Sequence, residues 1–272
     1  MGPHLMDALR EAFPRTRGWF TAAGVLIGLF LLAPLATILP LAFTRDQYLV
    51  FPPELFSGQW FSEVLKDPAW QGAIRNSAQV AVGGAVMATL AGTSAALAVR
   101  RLARGRRIVR ATLLAPIVMP QLVLALGLYL TYRSIVGGTS LGVLTLGQAT
   151  LAMPLVFVTV SAGLASVDPD LSRAAQSLGY RWPSVVRRIE LPLVRRSILS
   201  GAILAFAVCF DEAVLAYFLA PAGQQTIPVK IWTSANESVS PAIAAASALV
   251  ICVAVTLLAV AALVRPNRTP EG

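Results

Sequence analysis

Six long, almost uncharged apolar runs constrain the fold of this chain more than any other feature of its sequence. Hydrophobic residues make up 56% of the 272 residues and charged residues only 13%, about half the charged share of a typical soluble domain. An apolar run of about 20 residues can cross the hydrocarbon core of a bilayer as a helix. The sequence therefore predicts an all-α membrane protein with six transmembrane helices, which form one domain over residues 19–264.

Short polar connections separate the six runs. Small residues are frequent in the second run, and this indicates a helix buried between other helices. Pro116 and Pro120 in the third run and Pro154 in the fourth are expected to bend their helices. A short helix is also expected over residues 60–66, in the connection after the first run. The predicted spans cover residues 18–44, 76–99, 111–132, 147–167, 197–220 and 242–264.

Basic residues are concentrated in alternate connections. Seventeen of the 22 Lys and Arg residues lie in the N-terminal segment (residues 1–18), residues 100–110, residues 168–196 and the tail (residues 265–272). Because membrane proteins keep basic loops on the cytoplasmic side, we expect these four segments, and hence both termini, to be cytoplasmic. The net charge of +9 is then a consequence of membrane topology and does not indicate nucleic-acid binding.

Residues 168–196, called here the basic loop, contain the residue types that begin and end helices. Asp168 is a suitable N-cap, and Pro169 follows at the first helical position. Gly179 suits the left-handed conformation that ends many helices. Pro183 begins another helix after Trp182, and Pro192 marks a further break. The sequence predicts two short helices at an angle, outside the bilayer.

One face of the first loop helix is apolar. Its members recur at three- and four-residue spacing, which is typical of a helix face. Six arginines in the loop are explained by topology alone, but the apolar face and the Pro and Gly residues are not. An Ala-lined face exposed to the cytoplasm suggests docking into a groove of another protein. The face consists of Leu171, Ala174, Ala175 and Leu178.

Asp211 and Glu212 are the acids within a predicted span. An ionised carboxylate in the hydrocarbon core is costly unless it faces a cavity or a partner, so such acids are candidates for a functional site. Adjacent helix positions point about 100° apart, so the two acids are expected to have different roles. One would face a translocation path, and the other would bind a neighbouring helix or cap a break. The alternative is that both mark an early helix end near the outer interface.

Catalytic and cofactor motifs are absent from the sequence. His4 is the one histidine, which excludes multi-histidine metal sites and a histidine acid–base pair. The Gly-rich phosphate loop that ends in Lys-Ser/Thr does not occur, so ATP binding by that route is excluded. Cys209 and Cys252 lie in apolar runs and are expected to be packing residues. If ATP hydrolysis drives this protein, a partner protein must carry out the hydrolysis.

The basic loop resembles the signature loop of bacterial ABC importer permeases. That pattern is Glu-Ala-Ala, three residues, Gly, nine residues, then Ile-x-Leu-Pro; Ala174-Ala175, Gly179 and Ile189-Glu190-Leu191-Pro192 match it in order and spacing. Arg173 stands where the family usually has Glu, which puts the usual polar contact of that acid in doubt. The resemblance implies the type I permease fold, and it implies ATPase-coupling roles for Arg173, Ala174, Ala175, Leu178, Gly179, Ile189, Leu191 and Pro192.

The resemblance also implies the partners and the mechanism. The implied partners are an ABC ATPase dimer that binds Mg²⁺ and hydrolyses ATP, a sister permease and an extracytoplasmic solute-binding protein. The implied location is the bacterial inner membrane. The loop would be a coupling helix, and ATP-driven closure of the ATPase would reorient the membrane helices around a central solute site. Cofactors, metals and catalytic residues are not expected in this chain.

From about Phe51 to Ala262 the chain is most similar to the second membrane subunit of spermidine/putrescine-type permeases. Its segments FDEAVLAYFL and TIPVKIW contribute to this likeness. The same subgroup includes permeases for aminoethylphosphonate, thiamine and ferric iron, so a small polar solute is expected and a polyamine is the leading candidate. Asp211 and Glu212 would attract such a cation.

Two other classes remain as alternatives. An intramembrane aspartate-dependent protease needs acids on two different spans, whereas here they lie on one. An ATP-independent channel or secondary transporter would need no ATPase, and a secondary transporter would be expected to show internal repeat symmetry. Copurification with an ATPase and a second permease distinguishes an importer permease from both.

Overall fold

The computed structural model describes residues 14–238 and 240–264, which are helical over most of their length. The helices are, in chain order, α1 Pro14–Ala42, α2 Gln59–Lys66, α3 Pro68–Arg101, α4 Arg106–Val118, α5 Gln121–Val136, α6 Leu141–Ala165, α7 Pro169–Ser177, α8 Trp182–Leu193, α9 Arg195–Asp211, α10 Val214–Leu219, α11 Ile227–Glu237 and α12 Pro241–Val264. Helix α8 contains a π-helical turn over Val186–Glu190. The all-α fold class is confirmed.

Several helices are suited to crossing a membrane. Within the described residues, three helices are long and apolar enough to do so, or up to five if each of two bent pairs is one span. The three are Thr21–Ala42 within α1, then α3 and α6. The bent pairs are α4 with α5 and α8 with α9, and α12 contains a shorter apolar stretch, Pro241–Leu257.

Side-chain caps set the starts of the two central helices. The carboxylate of Asp67 accepts a hydrogen bond of 2.7 Å from the amide of Ala69 at the start of α3. The hydroxyl of Ser140 accepts one of 3.2 Å from the amide of Val143 at the start of α6. Both caps satisfy amides that have no partner in the first helical turn. They make α3 and α6 longer than the spans that hydropathy alone predicts.

The third predicted span is a bent pair of helices, in agreement with the bend expected from its prolines. Helices α4 and α5 meet at 101°, with Met119 extended and Pro120 at the N-cap of α5. Proline lacks an amide hydrogen and disfavours helical geometry at the preceding residue, which explains a break at Met119. Pro116 and Pro154, by contrast, lie inside helices α4 and α6.

The fifth predicted span also ends early. Helix α9 stops at Asp211 instead of continuing to Ala220, and the short helix α10 follows. The break expected at Pro192 falls at Val194, where α8 and α9 meet at 72°. The short helix expected over residues 60–66 is confirmed as α2.

The ends of the chain are largely undescribed. The predicted tail (residues 265–272), His4 and the N-terminal segment (residues 1–18) as far as residue 13 lie outside the described residues. Residues 14–18 already belong to α1. The predicted cytoplasmic location of both termini therefore stays a prediction.

The centre of the fold is the packing of α3 against α6 and α9. The buried cluster between them is rich in alanine on α3, with Val156, Phe157 and Val160 on α6 and Cys209 on α9. Small side chains allow membrane helices to approach closely, as the sequence predicts for this span. A second buried cluster joins α1, α2 and α12, and a third joins α5, α6, α10 and α11.

Gly92 shows how close the approach of α3 to α6 is. A Cβ atom at this position would lie 2.7 Å from Cβ of Val156 and 2.8 Å from the carbonyl oxygen of Met153. The second of these is backbone and cannot rotate away. Gly72, on the same helix, has nothing within 4 Å of such a Cβ atom.

We predict that Gly92→Ala destabilises the protein and that Gly72→Ala does not. Overpacking of this kind costs about 1–3 kcal/mol, whereas Gly→Ala in an open helical position gains about 0.5–1 kcal/mol. The thermal unfolding midpoint of each purified variant in detergent measures the difference. Equal midpoints for the two variants would contradict the close packing of α3 on α6.

Candidate functional site

The basic loop folds as two helices joined by a tight turn. The Asp168 carboxylate accepts a 2.9 Å hydrogen bond from the amide of Asp170 and caps α7. Gly179 has φ +87°, and the amide of Tyr180 donates to the carbonyl of Ala175 at 3.1 Å. This is the left-handed helix end expected at Gly179. Trp182 then begins α8, with Pro183 in its first turn.

The predicted docking face is exposed except at one position. Leu171 is 50% exposed and Leu178 80% exposed, and Ala174 is also exposed. Ala175 is instead buried at 7% exposure and lies on the inner side of α7. The prediction that all four side chains share one exposed face was therefore wrong for Ala175.

Arg173, which replaces the family's usual Glu, points into solvent. Its guanidinium lies 2.7 Å from the carboxylate of Asp170 on the same helix, and both side chains are largely exposed. An exposed ion pair of this kind contributes little to stability. Arg173 is therefore available to a docking partner.

The second half of the loop turns from surface to core. Ile189 and Leu191 are half-buried, Pro192 is exposed, and Leu191 packs against the cluster between α3, α6 and α9. Val194, at the bend into α9, is buried. The loop is therefore continuous in packing with the membrane helices.

Glu190 is the residue in this loop that the sequence reasoning missed. It is 2% exposed, and its Oε1 atom accepts a hydrogen bond of 3.1 Å from the hydroxyl of Ser172. The same atom lies 3.5 Å from Nη2 of Arg101 and 3.9 Å from Nη1 of Arg100. Its neighbours Ile189 and Leu191 are apolar, but adjacent helix positions point about 100° apart, so they do not by themselves indicate that Glu190 points inward.

Asp211 and Glu212 diverge in environment. Glu212 is 7% exposed, and its carboxylate accepts hydrogen bonds from the amides of Val214 (2.9 Å), Leu215 (2.7 Å) and Ala216 (3.3 Å). Glu212 thus caps α10 at a helix N-terminus, where a negative charge is favoured. Asp211 ends α9 and is exposed.

Two cavities lie near opposite ends of the bundle. One, of about 300 Å³, is lined by Ala213, Val214, Tyr217, Phe218, Val229 and Trp232, directly after the two acids in the chain. The other, of about 480 Å³, lies between α3, α4 and α6, and its basic lining residues are Arg100, Arg106 and Arg110.

The structure does not bring the two predicted sites together. Helix α9 separates the basic loop from Asp211 and spans about 25 Å at 1.5 Å per residue. In the described residues, no cluster of three or more His, Cys, Asp or Glu side chains could hold a metal ion. Cys209 is buried and Cys252 exposed, and neither forms a disulfide.

Comparison with known proteins defines the family. The model of the binding-protein-dependent transport system inner membrane component family matches residues 70–268 of this chain. The chain belongs to this family. It is the membrane permease subunit of a binding-protein-dependent ABC importer, a transporter subunit of the inner membrane and not an enzyme.

Its similar relatives include polyamine permeases. The putrescine transport system permease protein PotI of Escherichia coli strain K12 is 30% identical over 82% of this chain and 82% of its own length. The spermidine/putrescine transport system permease protein PotC of Haemophilus influenzae is 27% identical over 86% of this chain and 91% of its own. A probable molybdenum ABC transporter permease of Haloferax volcanii is 35% identical over 48% of this chain and 51% of its own.

Solved structures share the fold. A chain of the bacterial alginate ABC transporter, in complex with an alginate pentasaccharide-bound periplasmic protein, aligns with a TM-score of 0.71 over 94% of this chain and 97% of its own. The MetNI methionine ABC transporter aligns with a TM-score of 0.60 over 71% of this chain and 95% of its own. Identities of 16% and 13% make these likenesses of fold alone.

Proposed function

We propose that the basic loop is the site where this permease docks onto a dimeric ABC ATPase, which binds ATP and Mg²⁺. The observation that carries this proposal is the exposed face of Leu171, Ala174 and Leu178 on α7. Exposed apolar residues on a short, capped helix suit insertion into a groove of another protein. The permease-type spacing of the loop motif supports the same role.

The remaining assembly follows from this role. The chain crosses the inner membrane six times, with both termini and the basic loop in the cytoplasm, in agreement with its charge distribution. The bent pair α4–α5 counts as one crossing, α9 is the fifth crossing after the cytoplasmic α8, and α12 is the sixth. A sister permease completes the translocation path, and an extracytoplasmic solute-binding protein delivers the solute. Closure of the ATPase moves the loop and drives alternating access.

The transported solute is a small polyamine-like cation. Similarity to PotI and PotC supports this class, and so does the exposed carboxylate of Asp211. The cavity that follows it in the chain is lined by Tyr217, Phe218 and Trp232. Aromatic faces attract ammonium groups, so these side chains suit a cationic solute. The carboxylate of Glu212 accepts hydrogen bonds from the first amides of α10, so Glu212 has a structural role.

An anionic solute is the second candidate, and one observation favours it. Arg100, Arg106 and Arg110 line the 480 Å³ cavity, and guanidinium groups are good ligands for oxyanions. The partial similarity to a probable molybdenum permease also supports an anionic solute. Among the solutes expected from the sequence, aminoethylphosphonate fits this candidate. Identification of the ligand carried by the cognate solute-binding protein decides between the two.

We predict that Gly179→Val removes the ATPase from the purified complex or abolishes ATP-driven uptake. A β-branched residue in the left-handed conformation is strained by about 1–3 kcal/mol, so the turn between α7 and α8 would change. The measurement is the amount of ATPase that copurifies with the tagged chain, together with uptake in vesicles. Gly179→Asn is the matched control, because Asn tolerates this conformation. Normal copurification and uptake with Gly179→Val would count against docking through this loop.

The two acids are predicted to respond differently to neutralisation. Asp211→Asn should lower putrescine uptake about tenfold, which corresponds to a loss of about 1.4 kcal/mol of attraction for the cation. Glu212→Gln should mainly lower the unfolding temperature, because it weakens the cap of α10. Uptake of radiolabelled putrescine by complexes of verified assembly measures the first effect. Unchanged uptake in the Asp211→Asn complex would remove this acid from the translocation path.

A further inference from the structure

The buried carboxylate of Glu190 ties together three parts of the chain. Its Oε1 atom contacts Ser172 of α7 and the guanidinium groups of Arg100 and Arg101, which are the last two residues of α3. Glu190 itself belongs to the π-helical turn of α8. Single π-turns inside helices are frequent at functional sites. One side chain thus joins both helices of the basic loop to a central membrane helix.

The two arginines hold the loop through further contacts of their own. Nη2 of Arg100 donates a hydrogen bond of 3.0 Å to the carbonyl of Val167, immediately before the basic loop begins. The guanidinium carbon of Arg101 lies 4.7 Å from the ring centroid of Trp182, at the start of α8. The end of α3 therefore contacts the loop at its entry, at the start of its second helix and at Glu190.

The chemistry of this cluster favours concerted movement. An ionised carboxylate that is almost fully buried is stable only while cationic or hydrogen-bonding partners stay beside it. Separation of Glu190 from Arg100 and Arg101 would leave a charge buried without its partners. A displacement of the loop is thus less costly if α3 moves with it than if the cluster opens.

Helix α3 is placed to carry such a movement across the bundle. Near its other end, Nδ2 of Asn76 donates to the carbonyl of Gln225 at 3.1 Å, and the hydroxyl of Ser77 accepts from the amide of Ile227 at 2.8 Å. Ile227 begins α11, and Val229 of α11 lines the cavity that follows Asp211 and Glu212. One helix of 34 residues therefore connects the Glu190 cluster with the far end of the protein.

We propose that Glu190 is a positioning residue that transmits displacement of the basic loop to α3 through Arg100 and Arg101. This inference rests on the proposed docking of the loop onto an ATPase. It assigns to Glu190 a role in coupling that is separate from the docking face itself, because the side chain is directed away from that face and into the protein.

The test measures ATP-dependent movement of α3 in the complex of this chain with its ATPase and sister permease. Leu31 of α1 and Leu90 of α3, which are both exposed, are each replaced by a spin-labelled cysteine. The distance between the two labels is measured before and after addition of ATP and vanadate. Cys209 and Cys252 are replaced by Ala so that labelling is specific. The readout does not depend on the identity of the solute.

Glu190→Gln is expected to keep the ATPase bound and hydrolysing ATP while the ATP-dependent change in the Leu31–Leu90 distance is lost. Glu63→Gln, at an exposed acid beyond the opposite end of α3, is the matched control and should retain the change. If Glu190→Gln prevents assembly, Arg101→Gln removes the more exposed cationic partner and leaves Arg100 beside the carboxylate, and this complex should assemble with a reduced distance change.

Three results would contradict these proposals, and they distinguish an error in this inference from an error in the proposed function. A full distance change in the Glu190→Gln complex overturns this inference and leaves ATPase docking intact. If the Glu190→Gln complex does not assemble, a full distance change in the Arg101→Gln complex also overturns it. A wild-type chain that copurifies without an ATPase overturns the proposed function, and this inference with it.

Discussion

The close contact of α3 with α6 and α9 is the constraint on which the rest of the structure depends. Lipid solvates apolar side chains as well as protein does, so membrane helices associate through packing that needs small residues at the contact. Gly92 against Met153 and Val156, and Gly84 against Cys209, provide that approach. These three closely packed helices form a frame, with the basic loop at one end and Asp211 and Glu212 at the other.

At one end of this frame the basic loop combines an exposed face with a buried anchor. Leu178 projects outward, whereas Glu190 and Val194 are directed into the protein. A loop that only docked would need the outward face alone. The inward contacts join the loop to the end of α3, and the proposed coupling between an ATPase and a membrane helix depends on them.

At the other end, backbone breaks create the sites for polar groups. Helix α9 stops at Asp211, and the free amides at the start of α10 are satisfied by Glu212. Such irregular backbone is tolerated at membrane depth where it is buried in protein or lines a cavity. The cavity lined by Tyr217, Phe218 and Trp232 directly follows these two acids in the chain. The break ends α9 at Asp211 and leaves this acid exposed, which its proposed contact with a cationic solute requires.

The sequence predicts much of this arrangement, since apolar runs, caps and glycines act locally. The start of α7 at Asp168 and its end at Gly179 follow from single residues with known backbone preferences. The prolines predict a bend in the third span, but its angle of 101° and the burial of Ala175 and Glu190 depend on what packs around them, so hydropathy could not predict these. The two arginine partners of Glu190 lie 89 and 90 residues away, and pattern along the chain does not reveal contacts at that distance.

Site-specific photocrosslinking from the basic loop tests the central claim most directly. A photoreactive amino acid is placed at Leu178, which is 80% exposed, or at Ala175, which is buried in the same helix. The account predicts a covalent adduct with the ATPase from position 178 and none from position 175. An assembled complex in which position 178 forms no adduct with the ATPase would contradict it.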